Sequence, residues 1–406
     1  MMNPLLDRLH PYPFQRLASL LADVEPAPLT PINLGIGEPQ HAPPALIHEE
    51  LERHADGLGR YAATAGTPAL RGTIAAWLQQ RFGLDSGSVD PERHVLPVAG
   101  TREALFAIAQ AVAGGRPGSR VVMPNPCYQI YEGAALLAGA EPVYLASHAA
   151  NDHIPDLDAV PAATWDACTL VYTCSPGNPS GRVLPASWYQ RLLELADRHD
   201  FVIAADECYS ELYRDEAQPP PGLLQICREA GRTDFRRCLV FHSLSKRSSA
   251  PGLRSGFVAG DAALLAGFLR YRTYQGCALP LHVQAASQAA WADEAHVVHN
   301  RQRYRDKFSE ALDILAPVLD VTAPEAGFYL WPRTPVDDET FARELFREAH
   351  VRVLPGRYLG RGDGDANPGA HRVRIALVPE ESECTEALWR IRSFTERVTA
   401  SSSVGR

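Results

Sequence analysis

The chain has 406 residues, 46% hydrophobic and 21% charged, with a net charge of −9. Its length exceeds one simple core and points to two domains, and its composition is ordinary for a globular protein. The negative balance, without a long basic run, argues against nucleic acid or an anionic membrane as partner, and no stretch of about 18 apolar residues reads as a membrane span. An anionic ligand must then be held by local groups.

The eight cysteines are scattered without a C-x-x-C pair. They read as reduced thiols of a cytoplasmic protein, and no metal site is expected. The opening MMNPLLDRLHPYPFQRL places Asp7 and two prolines before any apolar run, unlike a signal peptide.

In chain order, Pro13 to Val24 is amphipathic, and a proline-rich link from Pro26 to Pro31 leads into the strand and turn Ile32-Asn33-Leu34-Gly35-Ile36-Gly37-Glu38-Pro39. A helix is expected from Ala45 to Ala55. A strand at Val95 to Val98 is followed by Gly100, Thr101 and Arg102, then a helix to about Ala113 with Leu105, Ile108, Ala109 and Val112 at helical spacing. Strand, glycine, hydroxyl and helix make an anion site. Gly100 permits close backbone approach, and Thr101 can end the helix while facing a ligand.

Val121 to Met123, Thr169 to Thr173, Phe201 to Ala205, Leu239 to His242 and Phe257 to Ala259 are short apolar runs, with helices near 130–138 and 187–199. Such unbroken strands suit a mainly parallel sheet covered on both faces, whose ligands sit beyond the strands' carboxyl ends. Three candidate groups fall there. Tyr128 could stack on a flat ring. Asn178 lies in the turn Ser175-Pro176-Gly177-Asn178-Pro179-Ser180-Gly181. Asp206 closes an apolar strand, where a carboxylate needs a partner or serves as a cap.

The organising stretch is CLVFHSLSKRSSAPGLRSGFVAG, Cys238 to Gly260. Lys246 follows a buried strand, and desolvation there leaves part of it as the free amine that attacks carbonyls. With Ser243, Ser245 and Arg254 nearby, amine, hydroxyls and guanidinium suit an aldehyde that carries a phosphate, such as pyridoxal 5'-phosphate (PLP). Past residue 290 come a long charged helix (Asp293 to Leu315), a helix near 338–349, a glycine-rich loop (Gly356 to Gly369), a strand (His371 to Val378) and a final helix ending near Val398. Arg372 and Arg374 share one strand face by period-2 counting, so spacing does not choose between them.

S-L-S-K followed by P-G-L-R-S-G-F resembles the cofactor-lysine segment of class I/II aminotransferases, the fold type I PLP enzymes. Further matches follow in the family's order over most of the chain. The resemblance implies an α/β fold: a large, mainly parallel, seven-stranded-type PLP domain (45–290), a small α+β domain (291–406), and an N-terminal segment (1–44) packed on the small domain. It makes Lys246 the lysine that links to PLP and transfers the proton, Ser243 and Arg254 the groups that bind its phosphate, and Gly100, Thr101, Arg102 and Ser245 further cofactor contacts. Tyr128 covers the ring, Asn178 and Tyr209 bond the phenolic oxygen, and Asp206 faces the ring nitrogen. Gly37, Asn178 and Arg374 face the substrate, with Arg374 on its α-carboxylate. The family forms homodimers, in which Tyr61 reaches the partner's phosphate. Amino acids and 2-oxo acids are the implied substrates.

The phrases NPLLDRLHPYPFQRL, SLSKRS…PGLRSGFVAGD and NPG…HRVRIALV resemble the branch that exchanges an amino group between glutamate and N-succinyl-2-amino-6-oxopimelate in bacterial lysine biosynthesis. Aspartate, aromatic or LL-diaminopimelate aminotransfer, or C–S lysis, would use the same cofactor residues. Ser249 stands where the branch has Asn, and Arg272 is a candidate for a distal carboxylate.

Overall fold

The computed structural model describes residues 2–404. Its strands are β1 (Ile32–Asn33), β2 (Val95–Val98), β3 (Arg120–Asn125), β4 (Glu141–Ala146), β5 (Cys168–Cys174), β6 (Val202–Asp206), β7 (Cys238–Ser243), β8 (Gly256–Gly260), β9 (Tyr329–Leu330), β10 (Val351–Arg352), β11 (Leu354–Pro355) and β12 (Val373–Ala376). Among the described residues, seven form one sheet in the order β2-β8-β7-β6-β5-β3-β4, in which β8 alone runs against its neighbours.

Both faces of this sheet are covered. Val122, Val171, Ile203, Val240 and Phe257 enter one apolar core, and Val121, Leu170, Ala204, Leu239 and Val258 the other. Because side chains alternate along a strand, burying both sets demands strands without polar alternation, as the sequence has. The chain steps from β3 outward to β4 and then back past β3 to β5. At that reversal the connections diverge and leave a crevice at the carboxyl ends of β3 and β5, with β6 and β7 opening beside it.

Strand β4 is absent from the sequence reading. It contains Pro142 and is one of the sheet's two edge strands. Proline donates no ladder bond and is tolerated there, so the residue that argues against a strand fits this one. The helix Ala262–Gln275 was equally silent. Its buried positions Leu265, Phe268 and Arg272 have helical spacing, but the third is a charge paired with Glu103, 169 residues away. The charged helix starts at Ala295, and the final helix reaches Val404.

The remaining strands form β11-β12-β9, antiparallel, and the parallel pair β1-β10. Ile32 and Leu34 share a core with Phe308, Leu345, Ile375 and Phe394, and Leu17 and Leu21 pack in a cluster with Trp331, Phe346 and Leu354. The N-terminal segment thus carries Gly37 across to the crevice from the side that carries Arg374.

Candidate active site

A cavity of about 520 Å³ occupies the crevice, lined by residues from both parts of the chain. Strand β7 ends in Ser243, whose hydroxyl caps the short helix Leu244–Arg247 by accepting from the Ser245 amide at 3.1 Å. Lys246 therefore stands on a helical turn instead of an open loop. Its Nζ reaches the cavity and donates to the Gly37 carbonyl at 2.6 Å. Burial lowers its pKa from 10.5 to about 8, with Arg374 and Arg102 adding to the effect and Cys208 and Glu38 opposing it. About a tenth is then free amine at pH 7, far more than for an unperturbed lysine.

Asp206 ends β6, 3% exposed. Tyr131 donates to its Oδ2 at 2.7 Å and the Cys208 amide to its Oδ1 at 3.2 Å. Burial raises its pKa in spite of these bonds. A carboxylate in this position is satisfied best by a cation brought into the cavity.

Gly100, not Thr101, occupies the N-cap of the helix Thr101–Val112. Its φ of +85° favours glycine, and a Cβ there would overlap the Arg254 guanidinium. Arg254 lines the cavity with Thr101, Ser243 and Ser245, so hydroxyls and a guanidinium converge on one end of it. Arg102 also lines the cavity and donates to the Tyr128 hydroxyl at 2.7 Å.

On the other side, Arg374 donates to Asn178 Oδ1 at 3.1 Å and to the Gly35 carbonyl at 2.9 Å. Its Nε is buried without a hydrogen-bond partner among the described residues. Arg372 is turned away, donating to the Trp331 carbonyl at 2.7 Å, and does not line the cavity. Tyr209 bonds the Tyr329 hydroxyl at 3.1 Å.

The fold thus brings Gly37, Thr101, Arg102, Tyr128, Asn178, Asp206, Tyr209, Ser243, Ser245, Lys246, Arg254 and Arg374 to one cavity, with Gly100 directly behind Arg254. Tyr61 does not join them; it is fully exposed on the chain surface. Arg272 is excluded as a cation for substrate. It is fully buried, with Glu103 at 2.6 Å and the Cys277 carbonyl at 2.7 Å. Sequence reasoning missed Tyr131 and Tyr329. Tyr131 stands three residues after Tyr128 on the same helical approach, which was the available signal; Tyr329 had none beyond its aromatic neighbours.

The model of the aminotransferase class I and II family matches residues 30–391. An LL-diaminopimelate aminotransferase from Nitratidesulfovibrio vulgaris is 31% identical over 395 residues, 95% of this chain and 97% of that protein. A crystal structure of an aminotransferase from Neisseria meningitidis superposes with a TM-score of 0.93 at 45% identity, covering 97% of this chain and 100% of that one. A probable N-succinyldiaminopimelate aminotransferase from Thermus thermophilus gives 0.82 at 26% identity, covering 94% and 99%.

Proposed function

The chain belongs to the aminotransferase class I and II family, and on that premise we propose which residues serve its reaction and which substrate it takes. It is a PLP-dependent aminotransferase with the fold type I architecture, acting on amino acids and 2-oxo acids. One observation carries the assignment of roles: a depressed-pKa lysine, a buried carboxylate of raised pKa and an arginine with an unpaired Nε all face one cavity.

The residues fit the cofactor. Ser243, Ser245, Thr101 and Arg254 would hold its phosphate, with Gly100 leaving room and Arg102 holding Tyr128 toward its ring. Asp206 would pair with its ring nitrogen, and Asn178 and Tyr209 with its phenolic oxygen. When bound, PLP supplies an aldehyde and a ring that withdraws electrons from the substrate's α-carbon. The chain's own part is to orient and to move a proton. Arg374 grips the α-carboxylate with paired donors. Lys246 Nζ takes the proton from the substrate Cα and passes it on without returning it to that carbon, as amino transfer requires. The tyrosine pair Tyr209–Tyr329 and the N-terminal residues Tyr12, Phe14 and Ile36 line this space.

The substrate is N-succinyl-2-amino-6-oxopimelate with glutamate as amino donor, in diaminopimelate and lysine biosynthesis, which makes the protein a succinyldiaminopimelate aminotransferase. The three sequence phrases and the Thermus neighbour support this. A second reading, LL-diaminopimelate aminotransfer, is favoured by the name of the 31% identical relative. We place residues 45–290 in the PLP domain and 291–406 with the N-terminal segment in the small one. The active form is a cytoplasmic homodimer in which Tyr61 reaches the partner's site.

Steady-state assays with glutamate separate the readings. Preference for the succinylated acceptor, by kcat/KM, supports the first. Comparable or better turnover of LL-diaminopimelate with 2-oxoglutarate supports the second. A preference for oxaloacetate or phenylpyruvate removes both, since a site built to pair a carboxylate at the far end of a long acceptor discriminates against substrates that lack one there.

A further inference from the structure

Lysine occurs only at positions 246 and 307 among the chain's 39 basic residues. Arginine serves everywhere else, and Lys307 is buried beside the catalytic part of the molecule, 2% exposed. Its Nζ contacts His41 Nε2 at 2.7 Å, the Leu377 carbonyl at 3.2 Å and the Pro379 carbonyl. An ammonium offers three donors on one atom, which matches three acceptors; the planar guanidinium does not.

The polarity of the network is fixed from its far end. Asn300 Nδ2 lies against two acceptors, the carbonyls of Lys246 at 3.2 Å and Arg247 at 3.3 Å. The amide nitrogen must therefore point there, and Oδ1 must face His41 Nδ1, 3.0 Å away. His41 Nδ1 carries the proton and donates, while Nε2 accepts from Lys307. Burial first, with the Lys307 and Arg303 charges, depresses the His41 pKa to about 4 against the Asn300 hydrogen bond and the weaker pull of Glu380, so the ring stays neutral at working pH. Ser249 adds a donor to Asn300 Oδ1 at 3.1 Å.

We infer that Lys307, His41 and Asn300 form a positioning relay that sets the placement of Lys246 relative to Arg374. Asn300 holds the Lys246 backbone. His41 pins the short segment that begins at Gly37, whose carbonyl accepts from Lys246 Nζ. Lys307 ties down Leu377 and Pro379, just beyond Arg374 on β12. Both ends of the Lys246 side chain and the root of Arg374 thus depend on one buried ammonium. The inference rests on the roles proposed above for Lys246 and Arg374.

Two variants test it in the full-length chain. His41→Phe keeps the packing on Tyr304, 4.6 Å between ring centroids, but removes both hydrogen bonds. His41→Gln keeps them, since its amide accepts with oxygen from Lys307 and donates with nitrogen to Asn300. The cofactor-free proteins are labelled with acetic anhydride across pH, and modification of Lys246 is read by peptide mass. Wild type should show a midpoint near 8. His41→Phe should move it up by roughly one unit as water reaches the amine, and in the loaded enzyme lower kcat about tenfold with a smaller change in KM. His41→Gln should restore most of both. If His41→Phe does not fold, Asn300→Ser, which frees the Lys246 and Arg247 carbonyls, carries the same expectation. A wild-type midpoint and turnover in His41→Phe, or equal impairment of the Gln and Phe variants, would overturn the relay. Cofactor attachment at Lys246 would stand in either case.

Discussion

Lys246 Nζ donates a 2.6 Å hydrogen bond to the carbonyl oxygen of Gly37, 209 residues earlier in the chain. The bond joins the end of β7 to the N-terminal segment across the cavity, and it places the amine where both parts of the chain meet. A Cβ at Gly37 would overlap the Tyr329 hydroxyl, which itself bonds Tyr209. Gly37→Ala should therefore displace either the loop or the tyrosine pair. We expect kcat/KM to fall by about tenfold to a hundredfold with the melting temperature changed little. Unaltered kinetics would show that this contact does not shape the site.

Asp206→Asn should retain PLP but lose turnover, by about a hundredfold to a thousandfold in kcat. The amide still fits between Tyr131 and Cys208, but it no longer balances a protonated ring nitrogen. Visible absorbance after dialysis measures retention. Near wild-type turnover would make Asp206 a structural residue.

Arg374→Ala should weaken every amino-acid substrate by about 2–5 kcal/mol of binding. Arg372→Ala should do much less, because that side chain is spent on the Trp331 carbonyl. The comparison is read from KM and from the Kd of a dicarboxylate inhibitor. The reverse ranking would place the wrong arginine in the site.

His41 links stability to pH. Its folded pKa of about 4 lies below its ordinary 6.5, so the unfolded chain binds more protons between these values. Its contribution is complete above pH 6.5 and is lost as pH falls through 4, on the order of 3 kcal/mol in full. Relative to His41→Gln, which does not titrate, wild type should lose stability over that window in urea unfolding. A constant difference from pH 7 to 4.5 would contradict burial of a neutral ring.

Much of this site is written locally in the sequence. Lys246, Asp206 and Asn178 are legible because each breaks an apolar strand or its end with a group that needs a partner, and strand ends of a parallel sheet are where ligands bind. Choosing Arg374 over Arg372 was beyond spacing, since period-2 counting puts both on one face, whereas in the fold Arg372 turns away to the Trp331 carbonyl; the family resemblance assigned it. What stayed hidden depends on contacts remote in sequence. His41 and Asn300 meet across 259 residues, and no local pattern marks a histidine whose partner lies that far away. Arg272 misled for the same reason, since its carboxylate, Glu103, sits 169 residues back. Ser249 has φ +47°, a conformation that Asn tolerates better than Ser, and its hydroxyl is engaged with Asn300, a second role that sequence did not suggest.

Every role assigned to the site depends on Lys246 as the cofactor lysine. Supplying PLP to the purified chain, reducing with borohydride and mapping the modified peptide tests this directly, and only two lysines compete. The cofactor mass should be found on the peptide that contains Lys246 and be absent from the one that contains Lys307. Attachment at Lys307, or no attachment after PLP is supplied, would contradict the assignment on which every other role rests.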